Sequence, residues 1–274
     1  MKQTSINIAG FSYQPIPDDK PSVGGFGLEG TGKTRFGCTM PHSDGVIGLL
    51  AIDKKSKRTF QQMAELLDVP YVANTKPFIS DNDLMRMAIL SQDDEDGPDK
   101  KQEKVKAFYK GVVDSVFELG EKLASSKSVE SIVVDTGSQL FQWILFKHFG
   151  RTTKIPPIGR GPINQDMIDF VNMMRTKNSY FIHRASEVWK DTGRVDRQGN
   201  QIKEPSGRFE PDGFRGIGGH LTVNLEFVNK AVGAVDRQRG DALEKKFRVK
   251  VHKCQTNALL EGMDLHEYSI SGEE

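Results

Sequence analysis

The chain has 274 residues, 36% of them hydrophobic and 27% charged, with a formal net charge of +1. That is enough apolar material for one sizeable core, and the near-neutral balance excludes a global positive field as the means of holding nucleic acid, so any such site must be a local patch. Cys38 and Cys254 are too few for a disulfide framework or a cysteine-based zinc site, and neither a signal peptide nor a membrane-length apolar run is present; the expectation is a soluble cytoplasmic protein with no membrane partner.

Small and apolar residues from Val23 to Phe26 lead into Gly27-Leu28-Glu29-Gly30-Thr31-Gly32-Lys33-Thr34, which fits the spacing of a phosphate-binding loop without a gap. Its glycines let successive N–H groups converge on one anion, Lys33 supplies a point charge, and Thr34 offers an oxygen to magnesium. The implied ligand is a nucleoside triphosphate with Mg2+; the competing reading is a glycine-rich turn that holds Gly-Lys-Thr by chance. Thr34 to Met40 predicts a helix that Pro41 stops. Val46 to Ile52 then reads as a strand buried on both faces and ending at Asp53, residues 58 to 67 as a short helix, and Val69 to Val72 as a further strand. This alternation predicts the α/β class with a mainly parallel sheet.

From Ser80 to Lys101 the chain turns polar around Asp93-Asp94-Glu95-Asp96, a solvated loop or, on a sharper reading, an acidic metal site. Val105, Phe108, Val112, Val116, Leu119 and Leu123 follow at helical steps and predict a long helix with one apolar face. Ser131-Ile132-Val133-Val134-Asp135 is a second apolar strand closing on a carboxylate. There Asp135 can hold magnesium through water, or else cap the helix that carries Leu140, Phe141, Ile144 and Leu145.

An amphipathic helix carrying Ile163, Met167, Phe170, Val171 and Met174 precedes the strand Ser179 to Ile182, which ends on His183-Arg184. At that position either residue can sense a γ-phosphate, although a surface histidine explains His183 as well. Residues 185 to 218 lose all hydrophobic periodicity and interleave Arg194, Arg197, Lys203, Arg208 and Arg215 with glycines and acids. A mobile basic loop of this kind suits a strand-like polyanion; the acids nearly cancel its charge, which also fits a flexible insertion. Leu221 to Phe227 and Phe247 to Val251 alternate apolar with polar residues around a turn at Arg239-Gly240-Asp241, so antiparallel strands are expected to finish the sheet. Lys230, Arg237, Arg239, Lys245, Lys246, Arg248, Lys250 and Lys253 make this the most basic stretch, suited to phosphates or to water.

In this order the motifs resemble the RecA-type recombinase core. The phosphate loop is similar to that family's, including the acid Glu29 two residues after Gly27; Ile132 to Thr136 is similar to its second nucleotide motif. Phe181-Ile182-His183-Arg184 resembles the strand leading into the second DNA-binding loop, here residues 185 to 218, with Ile217-Gly218-Gly219-His220-Leu221 resembling its closing segment. Arg248 to Lys253 resembles the C-terminal strand whose lysines reach a neighbouring subunit's nucleotide. The likeness spans roughly residues 20 to 260, without the extra DNA-binding domains of full-length recombinases, and is greatest to the core-only phage ATPases that assist single-strand annealing.

The resemblance implies an ATP- and Mg2+-dependent ATPase that binds single-stranded DNA, assembles as a filament or ring with nucleotide between subunits, and works with an annealing protein in the bacterial host cytoplasm. It divides the chain into an N-terminal arm over 1–20, a core over 21–262 and a tail over 263–274. Gly10-Phe11-Ser12-Tyr13 then reads as an anchor strand for a neighbour or as a plain tail. Gly27, Glu29, Gly30, Thr31, Gly32, Lys33 and Thr34 would hold the nucleotide, Thr34 and Asp135 the metal, and Lys33, Asp53, Asp135, His183 and Lys253 the catalytic roles. Two departures stand out. Asp53-Lys54-Lys55 has a lysine where the family carries its catalytic glutamate, so hydrolysis is slow or another acid such as Asp53 acts, and Gln255 stands where a second bridging lysine is expected. Lys55 favours an ATP-driven assembly protein without turnover as the alternative; a helicase or small-molecule kinase shares the same scaffold.

Overall fold

Val46–Ala51 and the Ile132–Val134 stretch of Val129–Asp135 are continuous runs of apolar or small residues, and these strands lie in the sheet interior covered on both faces, as their composition requires. The computed structural model describes residues 7–8, 11–12, 20–83, 85, 97–150, 157–196, 198–199, 201–214, 216–230, 246–255 and 261–268. In chain order, β1 (Asn7–Ile8) and β2 (Phe11–Ser12) pair with each other, β3 (Ser22–Gly27) enters the loop, and α1 (Lys33–Gly37) leaves it. Next come β4 (Val46–Ala51), α2 (Lys54–Leu66), β5 (Tyr71–Ala73), α3 (Pro98–Ser125), β6 (Val129–Asp135), α4 (Gly137–Phe149) and α5 (Gly161–Met174). The chain ends with β7 (Asn178–Val195), β8 (Gln201–Pro211), α6 (Ile217–His220), β9 (Val223–Lys230), β10 (Lys246–Cys254) and β11 (Asp264–Tyr268).

The main sheet runs β11-β10-β9-β3-β7-β6-β4-β5, with β8 paired to β7 outside this path. From β9 across to β5 every neighbouring pair is parallel; β10 and β11 are antiparallel additions. This is an α/β arrangement, mainly parallel with antiparallel strands at its C-terminal end. One detail differs from the alternation-based expectation: β9 runs parallel to the phosphate-loop strand, Val23 facing Val223, and only from β10 does the direction reverse. Alternation reports which side of a strand is buried and carries no information about direction. The Arg239-Gly240-Asp241 turn and the acidic run Asp93 to Asp96 lie outside the described residues.

Two apolar layers sandwich the sheet. On one side α3, α4 and α5 bury Val113, Val116, Leu140, Ile144, Met167 and Phe170 against Ile132, Val134 and Phe181. On the other, Cys38 and Phe60 from the α1–α2 side pack on Ile47, Leu49, Val133, Tyr180 and Ile182. Removing each such aliphatic side chain from water contributes about 1.5–3 kcal/mol, which fixes the sheet register because a one-residue slip would turn both layers inside out. The same alternation decides which side of the sheet each strand-end residue faces.

The long, aperiodic segment after Ile182 is not a loop. β7 continues to Val195 and returns as β8, forming an antiparallel ribbon that runs from Ala185↔Pro211 to Val195↔Gln201. Its exposed side chains explain the missing periodicity: a two-stranded ribbon with both faces in solvent needs no apolar alternation. Asp264–Tyr268, in the segment set apart as a tail, adds an edge strand to β10. Among the described residues no helix is long and apolar enough to cross a membrane.

Candidate phosphate-binding site

Because β3, β4, β6 and β7 are parallel, their carboxyl ends share one edge of the sheet, and there the phosphate loop, Asp53, Asp135 and Arg184 come together. Two loop glycines take left-handed backbone conformations, Gly30 at φ 77° and Gly32 at φ 86°, which residues with a side chain adopt poorly. Lys33 Nζ folds over the loop, donating to the carbonyl oxygens of Gly27 at 2.7 Å and Leu28 at 2.6 Å, and to Thr31 Oγ1 at 3.3 Å. Thr31 Oγ1 in turn donates to the Leu28 carbonyl at 2.8 Å. Burial pushes the Lys33 pKa down to about 8, against the pull of Asp135 and Glu29. Glu29 itself is exposed.

Thr34 Oγ1 donates to Asp135 Oδ2 at 2.9 Å. Asp135 is only 2% exposed, and burial raises its pKa, with the Thr34 and Ser56 hydroxyls and the Lys33 charge pulling the other way. The capping alternative for Asp135 does not hold: the side chain of the next residue, Thr136, caps α4 by accepting from the Gln139 N–H at 3.3 Å. Asp53 is the residue that caps a helix, accepting from the Lys55 N–H at 2.9 Å, and its second oxygen lies 3.6 Å from Arg184 Nη2. Lys55 is exposed. Ser56, on the first turns of α2, is a residue that sequence reading missed. Its hydroxyl reaches Asp135, a contact that no spacing along the chain announces.

His183 and Arg184 diverge. Phe181 belongs to the α3–α5 layer and Ile182 to the α1–α2 layer, so by alternation His183 points away from the phosphate loop and Arg184 lies on its side. The His183 ring is 1% exposed and packs on Gly137, where an added Cβ would come within 2.6 Å of its Cε1. Neither ring nitrogen has a partner within hydrogen-bond geometry, and burial takes its pKa down to about 4, with the nearby Asp212 backbone offsetting only part of the shift. Of the two sensor candidates, His183 is thus turned away from the loop and Arg184 lies on its side, where it also donates to Gln139 Oε1 at 3.3 Å.

The remaining predicted residues are dispersed. Lys253 Nζ donates to the carbonyl oxygens of Gly218 at 2.7 Å and Gly219 at 3.5 Å, tying β10 to α6 within the chain. Arg194, Lys203 and Arg208 are exposed on the ribbon, while Arg197 and Arg215 lie outside the described residues. Cross-strand pairs Lys190–Glu204 at 3.1 Å and Lys203–Asp191 at 3.8 Å place two ribbon lysines beside acids. Trp189, 57% exposed on β7, is the aromatic that the charge-based reading passed over. At the ribbon's root, Phe141, Phe146, Phe214, Arg160, Asn164 and Ser186 line a cavity of about 680 Å³.

The residues fit a nucleotide with magnesium: a cationic side chain and left-handed glycines surround the loop, and a buried carboxylate sits against the loop hydroxyl that would share the metal. No family model and no curated protein matches the chain. Among solved structures it is similar to the flagellar accessory protein FlaH of Methanocaldococcus jannaschii, at 10% identity and a TM-score of 0.39, over 92% of this chain and 84% of that one. It is also similar to an ATPase from the type III secretion system of pathogenic bacteria, at 12% identity and a TM-score of 0.38, over 77% of this chain and about half, 52%, of the other.

Proposed function

We propose that this protein is a Mg2+-dependent, ATP-binding recombination or annealing ATPase that places single-stranded DNA along its β7–β8 ribbon and assembles with its nucleotide near subunit contacts. The observation that carries the reading is the Thr34–Asp135 hydrogen bond between the phosphate loop and a buried carboxylate at the end of β6. Lys33 and the loop amides would hold the phosphates, with Thr34 and Asp135 on the metal. Bound magnesium would neutralise charge on the phosphate oxygens. Ser56 orients Asp135, and Asp53, held by the Lys55 N–H and near Arg184, is the carboxylate closest in role to the missing glutamate.

DNA contact rests on the ribbon's form and chemistry. Arg194, Lys203 and Arg208 offer charge to phosphates, and the exposed indole of Trp189 offers a face on which bases stack, worth about 1–3 kcal/mol per base. An assembly protein that uses ATP without turnover is the second reading, favoured by exposed Lys55 in place of an acid. A fluorescent single-stranded oligonucleotide should bind more tightly with ATP and Mg2+ than without nucleotide, and Lys33→Ala should abolish the difference. Equal binding with a non-hydrolysable analogue and no turnover favours the assembly reading; no DNA binding in any state removes the recombination reading.

A further inference from the structure

Ser138 is fully buried in the first turn of α4, three residues beyond Asp135. Its hydroxyl donates to the Asp212 carbonyl at 2.7 Å and accepts the Arg184 N–H at 3.0 Å. A serine hydroxyl has one donor and two acceptor lone pairs, so this single oxygen satisfies both backbone groups. The Asp212 N–H closes the triangle by donating to the Arg184 carbonyl at 2.7 Å. Arg184 is where β7 leaves the sheet for the ribbon, and Asp212 follows the last residue of β8. Both legs of the ribbon are thus fastened, at their root, to the helix that begins directly after the carboxylate of the phosphate site.

The surroundings leave this joint little freedom. Gly137 is pressed against the His183 ring, so the start of α4 cannot shift toward β7 without displacing it. On the loop side, the Arg184 side chain reaches Gln139 and Asp53. The Asp135–Thr136 peptide joins the carboxylate to this turn. Close-packed joints of this kind transmit small displacements, because neighbouring atoms have no space in which to absorb them.

We propose that Ser138 is the positioning residue through which nucleotide at the phosphate loop sets the orientation of the β7–β8 ribbon. This rests on the nucleotide-site reading above and not on the identity of what the ribbon binds. Ser138 is not among the residues that would hold phosphate or metal; it acts through Arg184 and Asp212, and through them on the rim of the neighbouring cavity, where Asp212 and Ser186 lie.

The test compares full-length wild type with Ser138→Ala and, should the alanine variant fold poorly by thermal melting, with Ser138→Cys, which keeps a weak donor and acceptor. Three quantities are read in each: affinity for a fluorescent non-hydrolysable ATP analogue with Mg2+, amide hydrogen exchange over residues 184–212 with and without that analogue, and affinity for a single-stranded oligonucleotide in both states. In wild type the analogue should slow exchange at the ribbon root. In Ser138→Ala, analogue affinity should stay within about twofold while the nucleotide-dependent change in exchange disappears; any nucleotide enhancement of oligonucleotide binding, about 5-fold or more in wild type, should vanish with it. A Ser138→Ala protein whose ribbon responds to nucleotide as wild type does would overturn the proposal, as would a wild-type ribbon indifferent to bound analogue. Failure to bind the analogue at all would sink the nucleotide reading and this inference together. A Ser138-dependent ribbon response without oligonucleotide binding would support the inference and remove only the DNA reading.

Discussion

Burial of the Lys33 ammonium takes its pKa down to about 8, so the residue that would grip the phosphates is charged at neutral pH and discharges just above it. Hydrogen bonds to charged groups contribute about 1.5–3 kcal/mol, so Lys33→Ala should weaken ATP·Mg binding by roughly 10- to 100-fold in a calorimetric titration. In wild type, affinity should fall as pH rises through 8. Stability moves the other way: between about 8 and 10.4 the unfolded lysine holds a proton that the folded one has lost, so folding is favoured as pH rises across that window. His183 gives the acid-side counterpart. Its folded pKa of about 4 lies below the unfolded value of about 6.5, so the unfolded chain binds the proton first and stability falls as pH drops through that interval, by about 3 kcal/mol in all. Asp135, with its pKa raised by burial, opposes this trend, so the comparison to make is between wild type and His183→Leu. Denaturant melts at several pH values should show the variant losing less stability on acidification; parallel curves would contradict the assigned burial.

At the scale of elements, α4 is held by its cap and its packing on the sheet. Thr136→Val removes the hydroxyl that accepts from Gln139 while keeping the shape, and should cost about 1 kcal/mol in a denaturant melt. The ribbon is the reverse case. Replacing residues 189–205 with a short glycine turn removes mainly exposed side chains, so the melting temperature and ATP affinity should hardly change while oligonucleotide binding is lost. Retained DNA binding would move that surface elsewhere. These two elements also show what the residues announced. Ser131 to Asp135 was legible as a strand because a buried parallel strand must be apolar; that its terminal acid leaves the capping of the next helix to Thr136 was not. The ribbon was not legible, because a pair of solvent-exposed strands is stabilised by cross-strand partners such as Lys190 and Glu204, which leave no periodic trace along either strand. His183 and Arg184 were adjacent letters with equal claims until the sheet's alternation put them on opposite faces. Ser138 carried no signal at all, since its two partners are backbone groups distant in sequence.

For the molecule as a whole, the loop, both strand-end carboxylates and the ribbon root lie along one edge of a single sheet, so a nucleotide there would sit beside the joint that anchors the ribbon. With a net charge of +1, any DNA affinity would have to come from local cations such as those proposed on the ribbon. Binding should therefore weaken with added salt, with log K falling along log salt at a slope of about −0.7 per phosphate contacted, and the slope should shrink when Arg194, Lys203 or Arg208 is replaced by alanine. The most direct test of the account is a calorimetric titration of the purified chain with ATP, with and without Mg2+, in wild type and Asp135→Asn. The expected result is saturable one-to-one binding that magnesium strengthens in wild type and barely affects in the variant. Absence of ATP binding in wild type, or an equal magnesium effect in both proteins, would contradict it.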